Sequence, residues 1–369
     1  MNRPTNAQKQ LLELIQMSVG VRETFSREPS DEVGWQALLK EVAAHRLMGV
    51  SFPVIEQLFI ADKVPTGVYG SWLVMVGRIR ELNERQRKGL VTVYRFFEQN
   101  GFRSCVLKGQ ASGLLYPDPL LRQSGDIDIW VEGGRDEVLN LLKAHFEVQK
   151  TRYIHSEVNM LKGMRVEVHY TPSWMFSPFA NIRLQRWFAS HAEEQFTHYE
   201  ERLEANVPTL RFNGSYMLLH IYRHLLEEGI GLRQVMDYYY VLLQMDQDDR
   251  DAVWADIRHL GLARFCGALM EVLSVVFAIK EEYMLCSPSR RRGRILLEAI
   301  LRSGNFGLAD PIFANKESKS EGILAHGWRK IKRNVHFLLL APREVLAMPF
   351  HVTWQYFWRR KHGYLYHGR

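Results

Sequence analysis

VLKGQASGLLYPDPLLRQSGDIDIWV, residues 106–131, closes on an alternation of acid and apolar side chains: Asp126, Ile127, Asp128, Ile129 and, after Trp130, Val131. In a strand, successive side chains leave opposite faces of the sheet, so Ile127, Ile129 and Val131 share one face and Asp126 and Asp128 the other. Two carboxylates about 7 Å apart along a strand repel each other unless a cation lies between them. Hard oxygen donors in that arrangement suit Mg²⁺ or Mn²⁺. Upstream, Leu107-Lys108-Gly109 ends an apolar run. Gly109 lets backbone approach a phosphate closely, and Lys108 offers a point charge for it.

A third carboxylate fits the same pattern. Residues 164–170, MRVEVHY, also alternate, with Val166, Val168 and Tyr170 on one face and Arg165, Glu167 and His169 on the other. If this strand lies beside the Asp strand, Glu167 completes a set of three acids. His169 then reads either as a base near those acids or as a hydrogen-bonded strand histidine.

These residues resemble a known family. A small-residue turn, a spacer, an Asp-x-Asp strand and a later strand acid resemble the DNA polymerase beta-like nucleotidyltransferase superfamily. The closer resemblance is to a bacterial branch of uncharacterised nucleotidyltransferases. It is carried by Leu107-Lys108-Gly109, Tyr116-Pro117, Arg122, Gly125-Asp126-Ile127-Asp128, GIGLRQVMD at 229–237 and SGNFG at 303–307. It extends from about Trp35 to Gly307 and departs from the broad superfamily pattern at Gly109-Gln110, where Gly-Ser or Gly-Gly is usual.

The resemblance implies an α+β fold, with a small mixed sheet flanked by N-terminal and C-terminal helical regions. It also implies transfer of an NMP from an NTP, ATP foremost, to a hydroxyl acceptor of unstated kind. Asp126, Asp128 and Glu167 would be the catalytic and metal-holding acids, with Mg²⁺ or Mn²⁺ as cofactor. Lys108, Gly109, Arg122, Arg233 and Asp237 would face the nucleotide. Arg122 reads equally as a triphosphate contact or as the partner of an Asp. Arg233 and Asp237, four apart, also fit an intrahelical pair. The competing reading is a catalytically silent nucleotide-binding or scaffold protein, which the altered turn at Gln110 leaves open.

Bulk properties narrow the field. With 46% hydrophobic and 24% charged residues, the 369-residue chain has the composition of a soluble globular protein with a sizeable core. Three scattered cysteines, with no metal-ligand spacing, argue against a disulfide framework and fit a reducing cytoplasm. The polar N-terminus, MNRPTNAQKQ, does not read as a signal peptide. The net charge is +7, yet residues 327–369 hold nine Lys/Arg and one acid, so the rest of the chain is close to neutral. A nucleic-acid partner is therefore not expected of the body. The tail mixes Trp328, Arg329, Lys330, Lys332 and Arg333 with Trp354, Tyr356, Phe357 and Trp358, running into Arg359, Arg360 and Lys361. It reads either as a surface for an anionic membrane or polyanion or as a helix packed on its own domain.

The chain divides into an N-terminal helical region (1–100), a catalytic domain (101–212), a helical domain (213–310) and a linker with a basic aromatic tail (311–369). Residues 171–212, rich in aromatics and Pro, read as a crossover between domains. His45-Arg46 matches a habit of the resembled branch and reads otherwise as a solvated helix end, which is the favoured reading. His220 and His224, four apart, share a helix face.

Overall fold

The computed structural model describes residues 4–304, 331 and 334–362. Five strands, β1 (Ser104–Val106), β2 (Ile127–Val131), β3 (Val148–Thr151), β4 (His155–Leu161) and β5 (Met164–His169), form one sheet in the order β1-β2-β5-β4-β3. Only β2 and β5 pair in parallel; the other neighbours are antiparallel, so the sheet is mixed. Pairing sets Asp128 opposite Glu167, and both His155 and Trp130 opposite His169.

The sheet has two unlike faces. Ile127, Ile129, Val131, Val166 and Val168 enter a core with Leu90, Val93 and Phe97 of α4 (Thr66–Gln99) and with Val138 and Leu142 of α6 (Arg135–His145). The 34-residue α4 runs for about 51 Å. It crosses the β4–β5 hairpin at Gly89, where a Cβ would stand 2.7 Å from the Leu161 side chain. The other face carries Asp128, Glu167 and His169. Its one large apolar member is Trp130, whose ring lies 4.6 Å from Phe196 and 6.1 Å from Phe212.

The helices that cover the charged face come from both ends of the chain. α1 (Asn6–Ser18) opens with a capping box of Thr5 and Gln8, and α2 (Glu32–Ala44) is capped by Asp31. These helices and α3 (Phe52–Ile60) share one core with α8 (Leu210–Glu227), α9 (Leu232–Gln244), α10 (Gln247–Leu260), α11 (Ala263–Phe277) and α12 (Arg290–Ser303). Hydrogen bonds from Gln8 to the Leu301 carbonyl (3.2 Å) and from Gln16 to the Val275 carbonyl (3.1 Å) join α1 to α12 and α11.

One segment differs from the sequence reading, and the tail follows one of its two readings. Within 171–212, in place of a plain crossover, α7 (Pro178–Gln195) buries Ala180, Leu184, Trp187 and Phe188, a helical stripe that starts from Pro178 at the first turn. A short hairpin follows, β6 (Tyr199–Glu200) with β7 (Ala205–Asn206). The tail forms α13 (Pro342–Lys361), which packs against the chain's own domain: Glu344 accepts backbone N–H groups of Phe176 and Ser177. His351 lies 4.1 Å from the Trp174 ring, and Trp354 and Trp358 lie 5.2 and 5.7 Å from that of Tyr153. Asn305-Phe306-Gly307, the linker at 315–322 and the basic residues Arg329, Lys330, Lys332 and Arg333 lie outside the described residues. Among the described residues no helix is long and apolar enough to cross a membrane.

Candidate active site

The turn after β1 brings backbone against backbone. Gly109 has φ +62°, and a Cβ there would meet the Asp126 carbonyl oxygen at 3.2 Å, so a side chain would be strained in conformation and crowded. Gln110, the departure from the superfamily pattern and the first residue of the short α5 (Gln110–Gly113), is buried and does not line the cavity. Its amide donates to Asn83 (2.9 Å), Gln86 (3.0 Å) and Ser124 (3.1 Å). Asn83 in turn donates to the carbonyls of Leu120 (2.7 Å) and Arg122 (2.9 Å), and Gln86 to that of Gly125. A row of buried amides on α4 thus clamps the loop that delivers Asp126.

The parallel pairing of β2 with β5 brings the predicted acids to one place. Lys108 Nζ lies 3.0 Å from Asp128 Oδ1, and His169 Nε2 lies 3.1 Å from the same oxygen. His169 Nε2 is 3.7 Å and His155 Nε2 is 3.8 Å from Glu167 Oε2. Arg165 reaches Asp126 at 3.6 Å. Burial and the nearby charges of Asp128 and Glu167 push the Asp126 carboxyl up to about 6. For Asp128 burial acts in the same direction, but Lys108 and His169 outweigh it and hold the group below the usual carboxylate range. Glu167, partly exposed, is drawn down to about 2 by its two histidines against the burial it has. Burial drives His155 down to about 3, so it is a neutral imidazole at pH 7, while His169 is raised against its burial by Asp128 and Glu167.

Three residues that resemble the family outside the acid strand, Tyr116, Arg122 and Asp237, form one latch. The Arg122 guanidinium holds Asp237 through two hydrogen bonds, 2.7 and 2.8 Å, and Tyr116 donates to the same carboxylate at 2.6 Å. All three are buried. Of the two readings of Arg122, the structure has the Asp partner, and α9 is thereby tied to the loop before β2. Arg233 does not pair with Asp237 along the helix; it donates to the Gln123 carbonyl at 2.6 Å, and its Nε has no hydrogen-bond partner. His45 is a correction: it is fully buried rather than solvated, and its Nδ1 accepts the Leu232 N–H at 3.2 Å, which caps α9. Burial lowers its pKa to about 4. The following residue, Arg46, takes φ +60° and lines the cavity.

The charged sheet face floors a cavity of about 520 Å³. Lys108, Gly109, Asp126, Asp128 and Glu167 line it together with Arg122, Arg233 and Asp237, so every predicted site residue borders one space. Arg46, Arg152 and Arg165 add positive charge to its walls, while α8 supplies His220, Arg223 and His224. Arg223 stacks on Trp174 at 4.2 Å and Phe176 at 4.4 Å. Sequence reasoning missed His155. Its signal is the antiparallel partnership with His169 across the Lys162-Gly163 turn, which becomes visible once the hairpin register is known.

The donor set fits a divalent cation. Three carboxylates share a largely buried face, and the mutual repulsion that raises Asp126 is the strain a bound cation relieves. Among the described residues, the ligand atoms of His155, Glu167 and His169 also lie within 4.8 Å of one another.

A mixed sheet whose acids face a cationic cavity, flanked by helices, makes this an α+β fold with its charged site on one sheet face. The chain belongs to the family described as uncharacterised nucleotidyltransferase, whose model matches residues 31–278. It is therefore a transferase of that class. No curated protein matches the chain. Among solved structures, an antigenic nucleotidyltransferase-like protein from Paracoccidioides brasiliensis aligns over 47% of this chain and 87% of its own, with 13% identity and a TM-score of 0.28. At that score a residue of one cannot stand for a residue of the other.

Proposed function

We propose that the protein transfers an NMP from an NTP, ATP foremost, to a hydroxyl group of an acceptor. The observation that carries this reading is the convergence of Asp126, Asp128 and Glu167 beneath a cavity whose walls are cationic. Asp126, Asp128 and Glu167 would hold Mg²⁺ or Mn²⁺. When bound, such a cation polarises phosphate oxygens and neutralises charge on the leaving group. Lys108 holds Asp128 ionised at 3.0 Å and presents its ammonium to the cavity. Gly109 lets the triphosphate approach the backbone, and Arg233, anchored to the Gln123 carbonyl, directs its remaining donors toward the phosphates. The Arg122–Asp237 pair positions both Arg233 and the acid strand rather than touching the nucleotide. In the reaction the acceptor oxygen bonds to the α-phosphorus, the bond to the bridging oxygen breaks, pyrophosphate leaves and the hydroxyl proton passes to a carboxylate of the face.

A silent scaffold draws no support from the turn, since Gln110 is turned into the amide network of α4 and leaves the cavity edge to Gly109. The test supplies α-phosphate-labelled and γ-phosphate-labelled ATP, with Mg²⁺ or Mn²⁺, to the full chain in a clarified extract that provides acceptors. Label is expected to appear on an acceptor from the α-labelled nucleotide alone, and to vanish with Asp126→Asn. Transfer of the γ-label, or α-label transfer that survives Asp126→Asn, overturns the reading.

A further inference from the structure

We infer that His155, Glu167 and His169 form a binding site for a first-row transition metal, separate in character from the Asp126–Asp128 oxygen pair. Three observations carry the inference. The three ligand atoms lie within 4.8 Å of one another, close enough for small rotamer adjustments to bring them around one ion. The site is rigidly framed: antiparallel pairing fixes His155 against His169, with ring centroids 5.0 Å apart, and both residues are over nine-tenths buried. Finally, neither ring nitrogen of His155 has a hydrogen-bond partner. A buried imidazole with both nitrogens unpartnered is a costly feature, and it is aimed at a carboxylate 3.8 Å away.

Donor chemistry distinguishes this site from the pair beside it. Two imidazoles and one carboxylate suit Zn²⁺, Co²⁺, Fe²⁺ or Mn²⁺, whereas Mg²⁺ prefers oxygen alone and surrenders its water reluctantly. Glu167 is thus common to both donor sets: it meets the two histidines here, and it lies beside Asp128 in the set for the cation that accompanies a nucleotide. The assignment does not depend on the transfer reading, and its test reads metal binding alone.

The experiment strips the full chain with chelator and titrates Co²⁺, following the visible absorption that imidazole ligation confers, in wild type, His155→Gln and Asp126→Asn, each with and without millimolar Mg²⁺. A single equivalent of Co²⁺ is expected to bind wild type and Asp126→Asn alike and to resist Mg²⁺. His155→Gln should weaken binding by at least about tenfold. Co²⁺ that Mg²⁺ displaces, or that Asp126→Asn abolishes while His155→Gln retains it, overturns the inference. Should His155→Gln fail to fold, thermal melting of wild type and Asp126→Asn decides: in both, Zn²⁺ is expected to raise the melting temperature further than equal Mg²⁺, and equal shifts overturn the site.

A different observation carries a second inference, that the outward face of α13 docks on an anionic membrane surface. The inner face of this helix packs on the protein, yet Leu346 (68% exposed), Phe350 (77%) and Phe357 (59%) form a second apolar stripe on the opposite side. Across a groove of about 570 Å³, α7 adds Phe179, 85% exposed. Arg183 and Arg343 line that groove, Arg360 and Lys361 are exposed at the helix end, and the acid of the helix, Glu344, is buried. Apolar side chains framed by cations, with no exposed acid on the helix, complement a negatively charged lipid surface. Co-sedimentation of the full chain with phosphatidylcholine vesicles, with and without phosphatidylserine, tests this. Binding is expected only with phosphatidylserine, and to fall at least about tenfold in Leu346→Glu/Phe350→Glu. No sedimentation, or a wild-type dimer in solution that the double substitution breaks, overturns it, the latter by giving the face to a second copy.

Discussion

β2 presents two faces that obey different rules. On one, Ile127, Ile129 and Val131 pack with Val166 and Val168 against α4 and α6, and every contact is satisfied within the fold. On the other, Asp126 and Asp128 stand beside Glu167, and Asp126 is pushed up to about 6 by burial and by its neighbours' charge. The first face is what folding requires. The second is mixed: Lys108 and the histidines stabilise the charges of Asp128 and Glu167, whereas Asp126, raised by burial and by its neighbours, works against folding. Adjacent residues of one strand therefore answer to stability on one side and to function on the other, and substitutions at neighbouring positions separate the two.

The largest effect is expected on the charged face. Asp126→Asn should lower α-phosphate transfer by about 10³-fold while leaving the melting temperature equal or higher, because it removes a repelled charge. A melting temperature that drops with activity would break the contrast. Next comes the latch behind that face. Asp237→Ala leaves a buried Arg122 unpaired and should cost about 3–5 kcal/mol in urea denaturation. Arg122→Met with Asp237→Leu should recover much of that loss. On the apolar face, Ile127→Ala, one residue from Asp126, should cost about 3 kcal/mol of stability and leave transfer per folded molecule unchanged.

The smallest effect sharpens the comparison through pH. The Asp126 carboxyl titrates near 6 when folded and near 3.9 when unfolded, so the folded protein holds the extra proton across that interval. Stability contributed by this group therefore falls as pH rises from about 4 to about 6. Buried His45 and His155, lowered to about 4 and about 3, act in the opposite sense and raise total stability with pH. The difference between Asp126→Asn and wild type isolates the carboxylate. The gap in favour of Asp126→Asn should open between about pH 4 and 6 to about 1 kcal/mol, a figure reduced for the solvent that reaches this 37% exposed side chain. Added divalent cation should narrow the gap.

Much of this contrast is legible in the sequence. Alternation at 126–131 and 164–170 sorts acids from apolar residues, because period-two patterning is local and strong. Whatever depends on partners remote in sequence is not. Arg122 lies 115 positions from Asp237, so composition alone leaves it equally a phosphate contact or an ion-pair partner. His45 is followed by Arg46 and resembles a solvated helix end, yet its hydrogen bond to Leu232 spans 187 positions and buries it. His155 faces His169 through hairpin register, which a single sequence does not set when the turn length is open. The helix at Pro178–Gln195 carries its own signal in Ala180, Leu184, Trp187 and Phe188, but neighbouring Pro and aromatic residues give the segment the composition of a loop.

The most direct test of the central claim is calorimetric titration of ATP into the full chain with Mg²⁺ or Mn²⁺, repeated after chelation and with Asp126→Asn. If the charged face of β2 exists to hold a nucleotide's cation, ATP should bind wild type in the presence of metal, and both chelation and the substitution should weaken it by at least about tenfold. ATP binding that neither chelator nor Asp126→Asn alters would contradict the account, because the acids would then have no part in holding the nucleotide.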